Sequence, residues 1–223
     1  MDQKELGNAL STFLSMETDE FFDILSGETT DEYISELENL YAKFEKNNNP
    51  SKKATTKEVG DALENLVKVI GDSTNLFEVY SNQRTSTNEI DHLFISKPQA
   101  KQLIQSHVFS EFENMIIECK NYNKKVGVTW VGKLYSLLKA SNCNVGVLFS
   151  YHGLTGNKNG WNAAVGLTKK IYLKDEILIL DFNNNDINRL VHGESFLKLV
   201  REKIQNLKFD TQINYEQHEI LLK

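Results

Sequence analysis

The chain has 223 residues and a formal net charge of −6, and 40% of its residues are hydrophobic and 25% charged. This length and composition predict one domain with a packed core, and they exclude wholesale disorder. No apolar run approaches the roughly 20 residues that span a bilayer, and no secretory signal pattern opens the sequence. Two cysteines, Cys119 and Cys143, are too few for a disulfide framework. We therefore expect a soluble, cytoplasmic protein with no membrane partner.

The charge is distributed unevenly along the chain. Residues 1–50 carry 12 acidic and 3 basic side chains, a net charge of −9, whereas residues 51–223 carry 19 acidic and 22 basic side chains, a net charge of +3. A mildly basic body is compatible with a nucleic-acid partner, because phosphate binding needs local positive charge. A neutral enzyme would show a similar balance, so charge alone does not decide the function.

The sharpest boundary is an asparagine-rich stretch that contains Pro50, one of only two prolines. Before it, apolar residues at three- and four-residue spacings predict an amphipathic helix over 31–46, and a second apolar cluster lies at 21–25. The apolar stripe of this helix has to be covered by the body of the chain, by a second copy or by a partner protein. Of these we favour a dimer or larger assembly, or a partner protein, bound through the N-terminal helices. The predicted segments are an acidic helical appendage (1–46), a linker (47–53), a larger domain (54–207) and a C-terminal tail (208–223).

After the linker, the apolar pattern alternates between the periods of helices and strands. Polar residues 81–88 predict a turn, and residues 97–113 predict a partly helical insertion. The predicted elements are helices over 56–70, 131–140, 161–170 and 195–207, and strands over 76–80, 89–96, 114–119, 145–151 and 177–182. Their order predicts an α/β fold with a mixed central sheet flanked by helices.

One predicted strand ends in charged residues where apolar residues are expected. Glu118 and Lys120 are two residues apart, so both side chains project from the same face of the strand. The preceding predicted strand begins with Asp91 and would run back beside Glu118. Two carboxylates and the backbone carbonyl of Cys119 would form an oxygen-rich site suited to Mg²⁺. Lys120 would orient or help to deprotonate the attacking water and stabilise the developing negative charge.

These residues, together with the order of the elements, resemble a known superfamily. The matching segments are NEID at 88–91 and IIECKNY at 116–122, followed by the predicted helix at 131–140 and the strand VGVLFSY at 145–151. Over roughly residues 55–205 the chain resembles the PD-(D/E)xK nucleases, and within them the restriction endonuclease-like group of Mrr type. The resemblance implies an αβββαβ core and a Mg²⁺-dependent deoxyribonuclease, with Mn²⁺ able to substitute. It also implies a role in restriction or anti-phage defence.

The chain departs from the pattern of this group at several positions. Ile90 precedes the acid where proline is frequent, and the triplet is Glu-x-Lys where many Mrr-type proteins have Gln-x-Lys. The interval between Asp91 and Glu118 is longer than a tight hairpin requires. Members of the superfamily often carry another acid on the first helix, and the resemblance implies that Glu64 fills this place as a further metal ligand.

Residues that flank the predicted site are candidates for contact with double-stranded DNA. Gln83 and Arg84 lie in the predicted turn before Asp91, and a surface turn without function explains them equally simply. A second group follows the site directly and is either a solvated loop or part of a DNA groove together with Trp130. This group is Tyr122, Lys124 and Lys125.

Structural alternatives exist for every candidate residue. Asp91, Glu118 and Lys120 would also be explained by an ion-pair network at a sheet edge, and Glu64 by a solvated helix position. His92 and His152 are candidates to face the site, but a hydrogen-bonded histidine at a strand end is the simpler explanation for each. The Cys119 side chain points to the opposite face of its strand and is expected in the core rather than as a nucleophile.

We predict a metal-dependent DNA endonuclease. One alternative is a structure-specific nuclease of the same fold, such as a junction resolvase. Another is a non-catalytic nucleic-acid-binding or scaffold subunit of a defence complex, with its partner bound to the N-terminal helices.

Overall fold

The computed structural model describes residues 2–15, 20, 30–49, 54–74, 76–84, 89–98, 100–101, 113–157 and 160–216. The apolar cluster at 21–25, most of the insertion at 97–113 and the last seven residues of the predicted tail lie outside the described residues. The described elements are α1 (Gln3–Leu14), α2 (Asp31–Asn48), α3 (Thr56–Ser73), β1 (Phe77–Arg84), β2 (Glu89–Ser96), β3 (Asn114–Cys119), α4 (Val128–Ala140), β4 (Val145–Phe149), α5 (Ala163–Asp175), β5 (Leu178–Phe182), α6 (Asn184–Val191) and α7 (Phe196–Glu216).

The five described strands form one mixed sheet in the order β1-β2-β3-β4-β5. β1, β2 and β3 are antiparallel neighbours, whereas β3, β4 and β5 run parallel. The carboxyl ends of β3, β4 and β5 therefore meet at one edge of the sheet, together with the start of β2. The expected α/β architecture, with an αβββαβ order in the core, is confirmed.

Apolar side chains cover both faces of the sheet. One cluster joins the sheet to α2, α3, α6 and α7, and the other joins it to α4 and α5. β4 is buried along its whole length, since it lies between two strands and under helices on both faces. A sheet covered on both faces needs strands that are apolar on both sides, which explains the run Val145–Phe149. Among the described helices, none is both long enough and apolar enough to cross a membrane.

α3 is positioned by a strong N-terminal cap and an apolar stripe. The Thr55 hydroxyl accepts a hydrogen bond from the Glu58 N–H, and the Glu58 carboxylate accepts one from the Thr55 N–H, which completes a capping box. Leu63, Leu66 and Val67 are fully buried against the sheet. This packing fixes the rotation of the helix and thereby the direction of Glu64, which lies beside Leu63.

α2 packs against the body of the same chain. Leu37 and Phe44 are fully buried in the cluster that contains the sheet residues Phe149 and Phe182. Burying an aromatic side chain of this size contributes about 1.5–3 kcal/mol relative to leaving it exposed. These two side chains of the predicted apolar stripe therefore need no second copy to cover them.

Several predicted bounds differ from the structure. α2 continues to Asn48, two residues into the predicted linker, because the side chain of Asn48 donates to the Phe44 carbonyl at 2.8 Å and that of Asn47 donates to the Glu58 carbonyl at 2.9 Å. β1 extends through Arg84 into the predicted turn, since Gln83 and Arg84 pair with β2.

The C-terminal region contains more helix than the sequence pattern predicted. α6 was not predicted, although Asn183 caps it and forms a capping box with Asp186. α7 extends to Glu216, into the predicted tail, and an ion pair between Lys169 on α5 and Asp210 at 2.6 Å holds the extension against α5. A helix of eight residues and a polar helix end each offer few apolar positions, so tertiary contacts decide whether such segments are helical.

Candidate active site

β2 and β3 bring the two predicted carboxylates together at the edge where the parallel strands end. His92 pairs with Ile117, and the same register sets Asp91 opposite Glu118. Directly opposed residues of an antiparallel pair share one face of the sheet, with Cβ atoms about 4.5–5.5 Å apart. Asp91 Oδ2 also accepts a hydrogen bond from the N–H of Cys119 at 2.6 Å. The carboxylate of Asp91 therefore ties the two strand ends together.

Lys120 lies at the centre of this group. Its Nζ is 2.5 Å from Glu118 Oε1, 3.2 Å from Asp91 Oδ2 and 3.0 Å from the carbonyl oxygen of Cys119. Its backbone N–H donates to the Phe149 carbonyl at 2.8 Å, which holds the residue in line with β4. The Lys120 side chain is only 12% exposed. The three oxygen atoms that the sequence predicts as metal ligands thus surround the ammonium group of Lys120.

The electrostatics of the site follow from two buried carboxylates beside one lysine. Burial raises the pKa of Glu118, the charge of Asp91 raises it further, and Lys120 opposes both effects. Burial alone would lower the pKa of Lys120, but the charges of Glu118 and Asp91 outweigh it and raise the pKa. The ammonium group therefore stays charged at neutral pH. With both carboxylates ionised, the site has a surplus of negative charge and attracts a further cation.

Glu64 belongs to the same electrostatic neighbourhood. It lies half-buried on α3, and its pKa is raised first by burial and then by the charges of Asp91 and Asp61, whereas Lys120 lowers it. A third acid near two others adds to the negative charge of the site. Its role as a ligand stays a prediction.

The donor atoms at the site suit a hard divalent cation. No group of three or more His, Cys, Asp and Glu side chains within the described ranges is placed to hold a metal ion. Asp91, Glu118 and the Cys119 carbonyl supply only oxygen atoms, which Mg²⁺ and Mn²⁺ prefer, and Mg²⁺ usually keeps water and substrate phosphate as its remaining ligands. The residues present therefore fit an ion that binds with part of its coordination supplied by water and phosphate.

A cavity of about 310 Å³ opens in front of the carboxylates. Besides Asp91, Glu118 and Lys120, its wall contains Glu89 of β2 and four residues of α4, of which Trp130 and Lys133 are the two with polar groups. Sequence reasoning missed Lys133. The available signal was its position three residues after Trp130, which sets both on the same face of α4.

The predicted DNA contacts after the site lie around a second cavity. Tyr122, Lys124 and Lys125 line a cavity of about 590 Å³ that shares Trp130 with the first one. Lys124 and Lys125 are exposed, and the ring centroid of Tyr122 lies 5.9 Å from that of Trp130. The loop after β3, which contains these residues, is held by an isolated β-bridge between Val126 and Leu154. The structure thus places these three residues beside the carboxylates.

Gln83 and Arg84 lie on the exposed end of β1, at the same edge of the sheet. Gln83 donates from its side chain to the Ser81 carbonyl at 2.9 Å, and Arg84 lies 3.5 Å from Glu89 in an exposed ion pair. Glu89 lines the carboxylate cavity, so Arg84 lies near its mouth. Contact of either residue with DNA stays a prediction.

His92 and Cys119 lie in the core, on the face opposite to the carboxylates. His92 is 2% exposed, its Nδ1 lies 2.9 Å from the Ser81 hydroxyl, and burial is the largest cause of its lowered pKa. Burial raises the pKa of the Cys119 thiol well above its ordinary value, which leaves it protonated and unreactive. His152 is exposed and packs edge-on against the Tyr151 ring.

Comparison with known proteins agrees with this geometry. Residues 55–176 match the Mrr_cat family model, which is described as a restriction endonuclease. The match covers more than half of the chain, from the cap of α3 to the end of α5, and includes Asp91, Glu118 and Lys120. No curated protein and no solved structure gave a significant match. The family implies a nuclease with a DNA substrate, and nucleases of this family generally use divalent metals. The chain belongs to the Mrr_cat family of restriction endonuclease-like nucleases.

Proposed function

We propose that the protein is a DNA endonuclease that hydrolyses phosphodiester bonds of double-stranded DNA with the help of Mg²⁺, for which Mn²⁺ can substitute. The observation that carries this proposal is that Asp91 Oδ2, Glu118 Oε1 and the Cys119 carbonyl oxygen all lie within 3.2 Å of one positively charged group, the Nζ of Lys120. Family membership supports the reaction class, and the oxygen-only donor set supports the choice of metal.

In this proposal Asp91, Glu118 and the Cys119 carbonyl hold the metal ion. Glu64 supports it through water, since it is half-buried and close enough to feel the charge of Asp91. A divalent ion supplies Lewis-acid polarisation of a phosphoryl oxygen and makes water more acidic. The protein contributes a rigid frame, because both carboxylates project from paired strands and Asp91 is fixed by the Cys119 N–H.

Lys120 acts as a fixed positive charge. Its raised pKa keeps it protonated, so it donates hydrogen bonds and does not accept a proton in this arrangement. It orients the attacking water and stabilises the negative charge that develops on the phosphate in the transition state. Charge stabilisation of this kind by one donor is worth about 10²–10³ in rate.

The biological role rests on the family. Restriction or anti-phage defence is proposed because the family model is that of a restriction endonuclease. A cytoplasmic location, and a second copy or a partner protein bound through the N-terminal helices, stay predictions. For α2 this partner would have to use surfaces other than the buried Leu37 and Phe44.

The proposal is tested by incubating the purified protein with supercoiled plasmid, modified phage DNA and a four-way junction, with Mg²⁺, with Mn²⁺ or with a chelator. We expect cleavage of duplex DNA only with the metal ion. Asp91→Asn and Glu118→Gln should abolish it.

The matched control is Asp175→Asn. Asp175 lies 3.2 Å from Lys139 Nζ, the same distance that separates Asp91 from Lys120, and it should be dispensable for cleavage. Cleavage that survives both site substitutions, or that needs no metal ion, would contradict the proposal. Cleavage restricted to the junction would replace it with a structure-specific nuclease.

A further inference from the structure

Positive charge is concentrated in the part of the chain that follows the carboxylates. From Cys119 to Lys174 the sequence contains nine lysines and no aspartate or glutamate, although the whole chain has a net charge of −6. This stretch contains Lys120, α4, β4 and nearly all of α5. The lysines that line the two cavities at the site are Lys120, Lys124, Lys125 and Lys133.

Two lysines of α4 differ in their partners. Lys139 forms an ion pair with Asp175 at 3.2 Å. Lys133 is exposed at the wall of the carboxylate cavity, and it makes no ion pair with any of the residues that the structure describes. The charge of Lys133 acts on Glu118 across the cavity, but the two groups form no ion pair. A lysine that faces a cavity without an ion pair keeps its charge available for an external anion.

Trp130 connects Lys133 to the residues at the centre of the site. The Nζ atoms of Lys120 and Lys133 lie 4.8 and 4.4 Å from the centroid of the Trp130 ring. Both distances are within the range in which an aromatic ring attracts an ammonium group. One ring therefore holds the two cations near each other, against their mutual repulsion.

The ring of Trp130 also separates the two cavities. On its far side the wall contains hydroxyl groups and cations but no acid, namely Tyr122, Lys124, Lys125, Thr129 and Thr155. This chemistry favours a phosphodiester chain, since hydroxyl and ammonium groups are common donors to phosphate oxygens.

We infer that Lys133 binds a phosphate of the strand that is cut, and that Trp130 is a positioning residue which holds Lys133 and Lys120 in place. The strand passes from the carboxylate cavity over Trp130 towards Lys124 and Lys125. This inference rests on the proposed function, because it assumes that the substrate is a DNA strand.

The test for Lys133 is DNA binding without cleavage. The full-length protein and its Lys133→Met, Lys133→Arg and Lys139→Met variants are titrated against a labelled duplex in chelator, over a series of salt concentrations. Loss of one phosphate contact lowers the slope of log K against log salt by about 0.9 and lowers affinity about fivefold at 0.15 M salt.

We expect this loss for Lys133→Met, recovery of the wild-type slope for Lys133→Arg, and a wild-type slope for Lys139→Met. An unchanged slope for Lys133→Met, or an equal loss for Lys139→Met, would overturn the inference. If the wild type cleaves DNA while the Lys133→Met slope is unchanged, only the inference fails. If Lys133→Met loses the contact but the wild type cleaves no DNA with Mg²⁺ or Mn²⁺, only the proposed function fails.

Trp130 is tested with Trp130→Leu and Trp130→Phe, after melting curves have shown that both fold. Trp130→Leu should repeat the binding loss of Lys133→Met and also lower kcat, since Lys120 loses its contact with the ring. Trp130→Phe keeps an aromatic face and should retain most of the DNA affinity and most of the kcat of the wild type. A Trp130→Leu variant with wild-type binding and kcat would remove the positioning role.

Discussion

Two lysine–aspartate contacts of equal length lie near the two ends of α4. Lys120 Nζ is 3.2 Å from Asp91, and Lys139 Nζ is 3.2 Å from Asp175. The Lys120 side chain is 12% exposed and also contacts Glu118, whereas the Lys139 side chain is 52% exposed and contacts Asp175 as its one acidic partner among the described residues. The lengths of the contacts do not distinguish them, but their surroundings do.

The pKa values of the acids reflect this difference. Burial, followed by the charge of Asp91, raises the pKa of Glu118. The hydrogen bond from the Tyr135 hydroxyl and the nearby Lys139 lower the pKa of Asp175. An exposed pair with matched charges has no need of another ligand and contributes little to stability. In a buried site with more carboxylates than cations, the carboxylates repel one another, and a bound cation would relieve this repulsion.

The largest expected difference between the two sites is in catalysis. Lys120→Met keeps the length of the side chain and removes its charge, so cleavage should slow by about 10²–10³ while DNA binding changes little. The melting temperature should fall, because two buried carboxylates lose the cation between them. Lys139→Met removes the same charge at the other end of the helix and should leave the cleavage rate unchanged. Single-turnover cleavage and duplex binding of both variants check this. Equal cleavage rates for Lys120→Met and Lys139→Met would show that Lys120 has no greater role in cleavage than Lys139.

The next difference concerns stability without metal. Charge repulsion alone predicts that removal of Asp91 stabilises the protein, but Asp91 Oδ2 accepts the hydrogen bond of the Cys119 N–H. Asp91→Ala leaves this buried donor without a partner and should cost about 1–3 kcal/mol in the free energy of unfolding.

The conservative variant Asp91→Asn retains an acceptor and should lose clearly less stability. Asp175→Ala should also have a small effect, because the Tyr135 hydroxyl and Lys139 can turn to water. Urea unfolding in chelator measures all three variants. Asp91→Ala and Asp91→Asn with the same stability would show that the hydrogen bond is unimportant.

The smallest expected difference is in the dependence of stability on pH. The pKa of Glu118 is raised in the folded protein, so its contribution to stability is present below its ordinary value near 4.5 and is lost as the pH rises through the folded pKa. Relative to the wild type, Glu118→Gln should therefore gain stability across this window, by up to about 1.4 kcal/mol per pH unit.

Asp175 should behave in the opposite direction. Its pKa is lowered, so its contribution is present above the ordinary value of 3.8 and is lost as the pH falls through the folded pKa. Asp175→Asn should thus be less stable than the wild type near neutral pH and equal to it in acid. Melting curves in chelator between about pH 3 and pH 8 test both pH dependences. If the difference in stability from the wild type has the same sign for Glu118→Gln and Asp175→Asn, the assigned pKa directions are contradicted.

The sequence predicted those parts of the fold that depend on apolar periodicity. The five strands were predicted, and so was the meeting of Asp91 with Glu118, because the strand at 89–96 was expected to run back beside the strand at 114–119. The order of the five strands within the sheet was not predicted. The sequence did not predict α6, because its three buried apolar residues, Ile187, Leu190 and Val191, have helical spacing but are too few to identify a helix of eight residues. It did not predict the extension of α7, because the Lys169–Asp210 ion pair is a tertiary contact. Lys133 was missed for a similar reason. Its role depends on how α4 is rotated against the sheet, which Val131, Leu134 and Leu138 decide by packing.

If Asp91 and Glu118 form a divalent-cation site, a divalent cation should raise the melting temperature of the protein. An ion that binds only the folded protein, and whose free concentration is ten times its dissociation constant, stabilises the protein by about 1.4 kcal/mol. This raises the melting temperature of a chain of this length by roughly 3–6 °C. We expect this rise with Mn²⁺ for the wild type and for Asp175→Asn, and its loss in Glu118→Gln and Asp91→Asn. An equal rise in all four proteins, or no rise in the wild type at saturating Mn²⁺, would contradict a divalent-cation site at Asp91 and Glu118.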